Sequence, residues 1–328
     1  MSFSKYLRAP FALVAAGVIA FGVAAFGDED SDSGGGSEST SSESTTIESN
    51  PDNEGVALTI GSKNFDEQFI LGEIYAQALE AAGYDISTEL NFGSEVIAKK
   101  ALEQGELDAY PEYTSTTLTS LYGLAPEDVP GDAADAADLA NESLSEDGLL
   151  AFAPTPFTSA NGVGLLSATA DELGVATISD LEGVSEDLTL YGTTECRQRI
   201  DCLLGLEQNY GLEFGAFKPV DPELRYEVLD NGDADLSILF TTDGQLAASE
   251  DYTILEDDQA LLPAGNVIVT ASQDAVDEAG PDFQETIELV QEQLTLEVMQ
   301  ELNQRVSLDR EKPADVAGDY LREAGYIE

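Results

Sequence analysis

Lys63 stands in "GSKNF", between an apolar run and a helical one, in a chain with 13 Lys and Arg against 65 Asp and Glu. A cation held in a turn of so acidic a sequence asks for an anion to recognise. Three other junctions carry unusual polar or aromatic content. "DAYPEYTSTTL" brings Tyr110, Tyr113, Thr114 and Thr116 together; "ECRQRIDC" holds Arg197 and Arg199 between Cys196 and Cys202; "FTTDGQ" follows an apolar run. A desolvated Arg or Lys beside hydroxyls clamps a carboxylate or phosphate. On spacing alone each basic residue could equally form a surface ion pair, and each aromatic could equally belong to a core.

The whole chain narrows the chemistry. It has 328 residues, a formal net charge of -52 and no histidine. Such acidity repels nucleic acid and anionic membrane surfaces. It suits concentrated salt, where at about 1 M the Debye length shrinks to roughly 3 Å and self-repulsion is screened; a halophile is the reading, with an acidic secreted protein as the alternative. Without histidine the commonest general base and metal ligand is missing, and two cysteines cannot build a Cys-based zinc site. No metal and no cofactor is expected. Enzymatic use of a carboxylate such as Glu112 or Asp243 as general base is the weaker alternative.

The elements that must position these junctions follow from pattern. Residues 1–27 carry Lys5 and Arg8 before an uncharged apolar stretch, which reads as a signal peptide or membrane anchor. Residues 28–55 are rich in Ser, Gly, Glu and Asp and read as a disordered tether. Then strands and helices alternate. Residues 56–60 form an apolar strand. Ile70, Ile74 and Ala78 make a helical row beside Leu71, Tyr75 and Leu79. Residues 85–91 alternate as a strand, and Tyr110-Pro111 opens a loop. "NGVGLLSA", "LTLYG", "FGAFKPV" and "ADLSILF" read as strands, "CLLGLEQNYG" and "LRYEVLDNG" as helices, and the chain from residue 282 as helical. This is an α/β pattern with a largely parallel sheet, in two lobes, with a ligand at the strand ends. Cys196 and Cys202 in an exported chain read as a disulfide; free thiols or a redox pair fit less well, since the spacing is not Cys-x-x-Cys.

The segments "LTIGSKNFDEQ", "DAYPEYTST", "ECRQRIDC", "YEVLDNGDAD", "TTDGQ", "MQELNQRV" and "DVAGDYLREAGY", in that order over residues 58–327, resemble the osmoprotectant-type substrate-binding proteins of ABC transporters, receptors for glycine betaine, choline and carnitine. The resemblance implies a type II periplasmic-binding-protein fold: two lobes joined by a hinge, with the ligand in the interlobe cleft. Lobe 1 is expected from residues 56–160 plus 265–328 and lobe 2 from 161–264. It also implies an exported, monomeric receptor at the cell surface that hands a small zwitterionic solute to a membrane permease and its ATPase. A receptor for a different small carboxylate, or a solute-sensing adaptor, is the alternative within the same class.

The resemblance further assigns residues. A lysine, a threonine and an arginine grip the ligand's carboxylate, and these fall on Lys63, Thr116 and Arg199. A cage of tyrosines holds the quaternary ammonium by cation–π attraction. Its four positions fall on Tyr113, Asn161, Phe240 and Ala264, so the clamp matches and two cage positions do not. Two readings account for the missing rings: the ligand is a different zwitterion or a small carboxylate, or Tyr110, Tyr191 or Tyr226 fills the gap from another direction.

Overall fold

The computed structural model describes residues 46–328, so the apolar N-terminal stretch and most of the acidic tract lie outside the described residues. No helix among the described residues is long and apolar enough to cross a membrane. Two sheets organise the chain. The first holds β1 (Ala57–Gly61), β2 (Asp85–Glu89), β3 (Ala109–Tyr113), β4 (Leu149–Ala151) and β5 (Thr158–Ser159). The second holds β6 (Asn161–Leu166), β7 (Thr189–Gly192), β8 (Ala216–Pro219), β9 (Leu236–Phe240) and β10 (Tyr252–Ile254). The chain then returns to the first sheet with β11 (Gly265–Ser272). The strand orders are β2-β1-β3-β11-β4, with β5 also on β11, and β10-β6-β9-β7-β8.

Neither sheet is largely parallel. β1 pairs in parallel with β2 and β3, and β7 with β8 and β9, but β11 runs antiparallel to β3, β4 and β5. β6 is antiparallel to both β9 and β10. In the first sheet the returning strand brings every antiparallel pair. A chain that leaves one lobe and comes back must re-enter beside its own exit, and Gly265 on β11 lies opposite Ser159 on β5.

Each lobe has its own core. Ile70, Leu71, Ile74 and Leu79 of the helix Asp66–Ala81 pack with Val267 and Val269 of β11 and with Met299, Leu302, Tyr320 and Leu321 of the C-terminal helices. In the other lobe Val163, Leu165, Leu190 and Leu236 pack around the disulfide and Leu206. Fully burying one such side chain contributes about 1.5–3 kcal/mol. The penultimate helix, Leu296–Ser307, belongs to the first core yet reaches the second lobe: Gln300 donates to Thr241 O at 3.1 Å and Asn303 to Thr242 O at 2.9 Å. Gly244 permits this approach, because a Cβ there would lie 2.4 Å from Gln304 N.

Two expected boundaries move. The tether does not run to residue 55: Ile47 N donates to Tyr326 O at 2.8 Å, Asn50 N to Ala82 O at 3.0 Å, and buried Asn53 through its side chain to Ala82 O at 2.9 Å. Average composition marks this stretch as polar, but Ile47, Asn50 and Asn53 find specific partners on lobe 1. Nor does Tyr110-Pro111 open a loop, since β3 runs through both. Val269 O, opposite Pro111, accepts from Phe152 N on the other edge of β11. The Pro111–Val269 pair is therefore non-hydrogen-bonded, and the N–H that proline lacks points away from β11.

Candidate ligand-binding cleft

A cavity of about 480 Å³ lies between the lobes, lined among others by Lys63, Tyr113 and Thr116 of lobe 1 and Asn161, Arg199 and Phe240 of lobe 2. The strand ends that carry the six sequence-predicted residues thus converge on one space. Ala264 is exposed and lies outside the lining, where Leu262 and Pro263 stand instead.

Lys63 is buried at the end of β1 and pairs with Glu112 Oε1. Its Nζ sits 4.5 Å from the centroid of the Tyr113 ring and 5.8 Å from that of Phe65. Glu112 is fully buried on β3 and also accepts from Tyr113 N at 2.8 Å and from Tyr110 OH at 3.3 Å. Burial pushes its carboxyl above the ordinary value, and the Lys63 charge pulls the other way. Thr116 is buried in the single helical turn that follows β3.

Tyr113 is fixed by its hydroxyl, which donates to Glu67 Oε1 at 2.6 Å. Glu67 is itself buried and accepts from Asn303 at 2.8 Å, and burial raises its pKa. A chain of hydrogen bonds therefore joins the Tyr113 strand end, the helix Asp66–Ala81, the helix Leu296–Ser307 and the Thr242 turn. Phe65 completes an aromatic wall, 6.5 Å from Tyr113 and 5.3 Å from Phe240 between ring centroids.

On the lobe 2 side Cys196 and Cys202 form the expected disulfide, with Cα atoms 5.1 Å apart. The loop is drawn tight against the next helix, where a Cβ on Gly205 would overlap Ile200 O at 1.8 Å. Arg199 in this loop donates to Asp201 through Nε at 2.8 Å and Nη2 at 2.5 Å, and its Nη1 faces Glu95 of lobe 1 at 3.4 Å. Burial lowers the Arg199 pKa, but the charges of Asp201 and Glu95 outweigh it and hold the guanidinium firmly protonated. Asn161 donates to Asp201 O at 3.1 Å, which ties the start of β6 to the same loop. Arg197 points elsewhere: it donates to Phe217 O at 3.0 Å and stacks on the Phe217 ring. Beyond the Glu95–Arg199 pair lies a second interlobe cavity of about 790 Å³, which both residues also line.

Phe65, Arg225 and Glu95 line the cleft and were not singled out in the sequence. Arg225 pairs with Asp243 through two nitrogens and lies 4.6 Å from the Phe240 centroid. The rarity of cations, which drew attention to Lys63, applied equally to Arg225 in "LRYEVLDNG". The expected substitutes for the missing rings do not line the cavity. Tyr110 is fully buried against Glu112, Tyr226 donates to Asp243 at 2.8 Å, and Tyr191 lies under Lys218. Phe65 supplies the third ring. Glu112 and Asp243 are each bound to a cation, so neither is poised as a general base. Among the described residues no group of three His, Cys, Asp or Glu side chains is arranged to hold a metal ion.

The cleft thus offers a guanidinium, an ammonium and hydroxyls beside three aromatic rings, an arrangement able to hold a small molecule with both a carboxylate and a cation. Comparison with known proteins agrees with this chemistry. The family description "Substrate binding domain of ABC-type glycine betaine transport system" matches residues 56–323. A glycine-betaine-binding protein of Pseudomonas aeruginosa is 32% identical over 277 residues, covering 81% of this chain and 87% of that one. The ergothioneine transport permease/ergothioneine binding protein EgtU of Helicobacter pylori is 26% identical over 82% of this chain, which spans 48% of that longer protein. A crystal structure of a glycine betaine/carnitine/choline ABC transporter superposes with a TM-score of 0.64 at 24% identity, covering 83% of this chain and all of that one, and shares the two-lobed fold. The chain belongs to the osmoprotectant family of ABC-transporter substrate-binding proteins.

Proposed function

We propose that this chain captures a small zwitterionic compatible solute of the glycine betaine type between its lobes and delivers it to an ABC permease and its ATPase. The observation that carries the reading is the interlobe cavity of about 480 Å³, in which clamp and aromatic residues from both lobes face one another. Arg199 and Thr116 receive the ligand's carboxylate, and Lys63, paired with Glu112, adds its charge behind them. Each charge-assisted hydrogen bond contributes roughly 1.5–3 kcal/mol. Phe65, with the faces of Tyr113 and Phe240 turned away from Lys63 and Arg225, flanks its cationic end. Closure of the lobes about the strands near Ala160 traps it. The 32% identity to a glycine-betaine-binding protein supports this ligand class, and the joint name of the H. pylori relative supports a permease as partner.

The setting is the outer face of the cell membrane, with residues 1–27 directing export. The mass of the mature N-terminus, read on protein made by its own host, tells whether they are removed or kept as an anchor. The net charge of -52 supports work in concentrated salt. The melting temperature of the ligand-free protein should climb between low and molar salt; a flat profile would remove that part of the reading.

A thermal-shift panel in high salt tests the ligand: glycine betaine, proline betaine, carnitine, choline and ectoine. A true ligand at a hundred times its dissociation constant stabilises the fold by about 2.7 kcal/mol. A shift with at least one zwitterion is expected. No shift with any of them would overturn the assignment.

A further inference from the structure

Three of the charged groups around the cleft are already satisfied within their own lobes. Lys63 has Glu112, Arg225 has Asp243, and the Nε–Nη2 edge of Arg199 is held by Asp201. Two aromatic faces are taken as well, Tyr113 by the Lys63 ammonium at 4.5 Å and Phe240 by the Arg225 guanidinium at 4.6 Å. The rings therefore do not form a cage open on all sides to a ligand's cation. Glu95 differs from the other carboxylates. It is only 6% exposed, it lines the cleft from the start of the helix Glu95–Glu103, and its one ion-pair contact among the described residues is the 3.4 Å approach of Arg199 Nη1 from the opposite lobe.

We propose that Glu95 is the specificity-determining carboxylate of the cleft: it pairs with the cationic end of the ligand and excludes anions that bring no cation. This rests on the reading of the cleft as a zwitterion site. A ligand carboxylate that docks on the Nη1 side of Arg199, where Glu95 stands 3.4 Å away, places a third anion, after Asp201 and Glu95, around one guanidinium. Four buried carboxylates, Glu95, Glu112, Asp201 and Asp243, already stand against the three cations Lys63, Arg199 and Arg225. A buried excess of negative charge is unfavourable. A positive group carried by the ligand beside Glu95 removes that excess. Selectivity then arises as much from repulsion of the wrong ligand as from attraction of the right one. Glu95 so takes over a task that Asn161 and Ala264 do not perform.

The test compares glycine betaine with 3,3-dimethylbutanoate, its near-isostere in which a carbon replaces the charged nitrogen. Calorimetric titration of the full chain, in wild type, Glu95→Gln and Glu95→Asp, reads the preference for one over the other. Wild type should prefer glycine betaine. Glu95→Gln should cut the preference by about tenfold or more, weakening glycine betaine and strengthening dimethylbutanoate. Glu95→Asp keeps the charge but draws it back, so its preference should fall by a smaller factor, and it decides the matter should the glutamine variant not fold. A preference unchanged in these variants, with wild type still binding glycine betaine, overturns the role of Glu95 and leaves the transport reading standing. Wild type that binds no zwitterion overturns the transport reading and this inference with it.

Discussion

The Lys63–Glu112 and Arg199–Asp201 pairs wall the same cleft, yet they sit in different surroundings. Lys63 and Glu112 belong to adjacent strand ends of lobe 1, with side chains 6% and 0% exposed, and Glu112 has two further hydrogen-bond donors. Arg199 sits on a disulfide-closed loop, keeps 19% of its side chain exposed, and reaches toward Glu95 in the other lobe. The first pair is sealed into the wall. The second is partly open, and its Arg199 also reaches Glu95 across the gap that must narrow when the lobes close. A cation already neutralised in a buried wall orients and supports; a cation whose Nη1 makes only a 3.4 Å contact across an interlobe gap can bind and latch. The clamp assigned by resemblance treats Lys63 and Arg199 as equals, and their environments divide that role unequally.

The largest effect should come from breaking the sealed pair. Removing one partner of a buried ion pair costs about 3–5 kcal/mol, because the other charge is left uncompensated. Glu112→Ala should therefore lower the melting temperature far more than Asp201→Ala, whose loss leaves Arg199 with Glu95 and solvent. Equal losses in chemical denaturation would erase the distinction between the two pairs.

Next in size is the loop that holds Arg199. Cys196 and Cys202 are separated by 6 positions. Replacing both by serine should cost about 2 kcal/mol on the chain-entropy account. Ligand affinity should also fall, since Arg199 would no longer be held toward the cleft. Affinity unchanged in the reduced or serine form would show that Asp201 and Asn161 position Arg199 without the disulfide.

The smallest effect concerns the hydrogen-bonded support behind Tyr113. Burial raises the folded-state pKa of Glu67 above its ordinary 4.5. Between those two values the folded state holds the proton more tightly than the unfolded one, so this group's contribution is complete below the unfolded value and is lost as pH rises through the folded one. Glu67→Gln does not titrate. Its melting temperature relative to wild type should therefore improve as pH rises from 4 to 7. A difference that stays constant, or runs the other way, would mean that Tyr113 and Asn303 hold Glu67 ionised at no cost.

Much of the fold was legible because local pattern and tertiary role coincide. The helical row Ile70, Ile74 and Ala78 faces the core, and the junctions at Lys63, Tyr113, Arg199 and Phe240 do converge. What escaped depends on contacts between distant segments. Phe65 reads as the first apolar residue of a helix until Phe240 is brought beside it from lobe 2. Glu95 reads as a solvated helix start, one acid among 65, until Arg199 arrives across the gap. Residues 265–272 are missing from the strands read in the sequence: β11 is buried along nearly its whole length and lacks the apolar–polar alternation that marks a half-buried strand, and no strand pattern carries direction. Residues 46–55 hid their docking behind a polar average.

Calorimetric titration of Arg199→Ala against wild type, with glycine betaine and with choline, tests the central claim that the open cation of the second pair grips the ligand's carboxylate. Choline carries the methylated cation and no carboxylate, so wild type should bind it far more weakly than glycine betaine. Arg199→Ala should weaken glycine betaine by about 10- to 100-fold, the loss of one charge-assisted contact, and leave choline unchanged or improved. Undiminished binding of glycine betaine by Arg199→Ala, or an equal loss for both ligands, would contradict it.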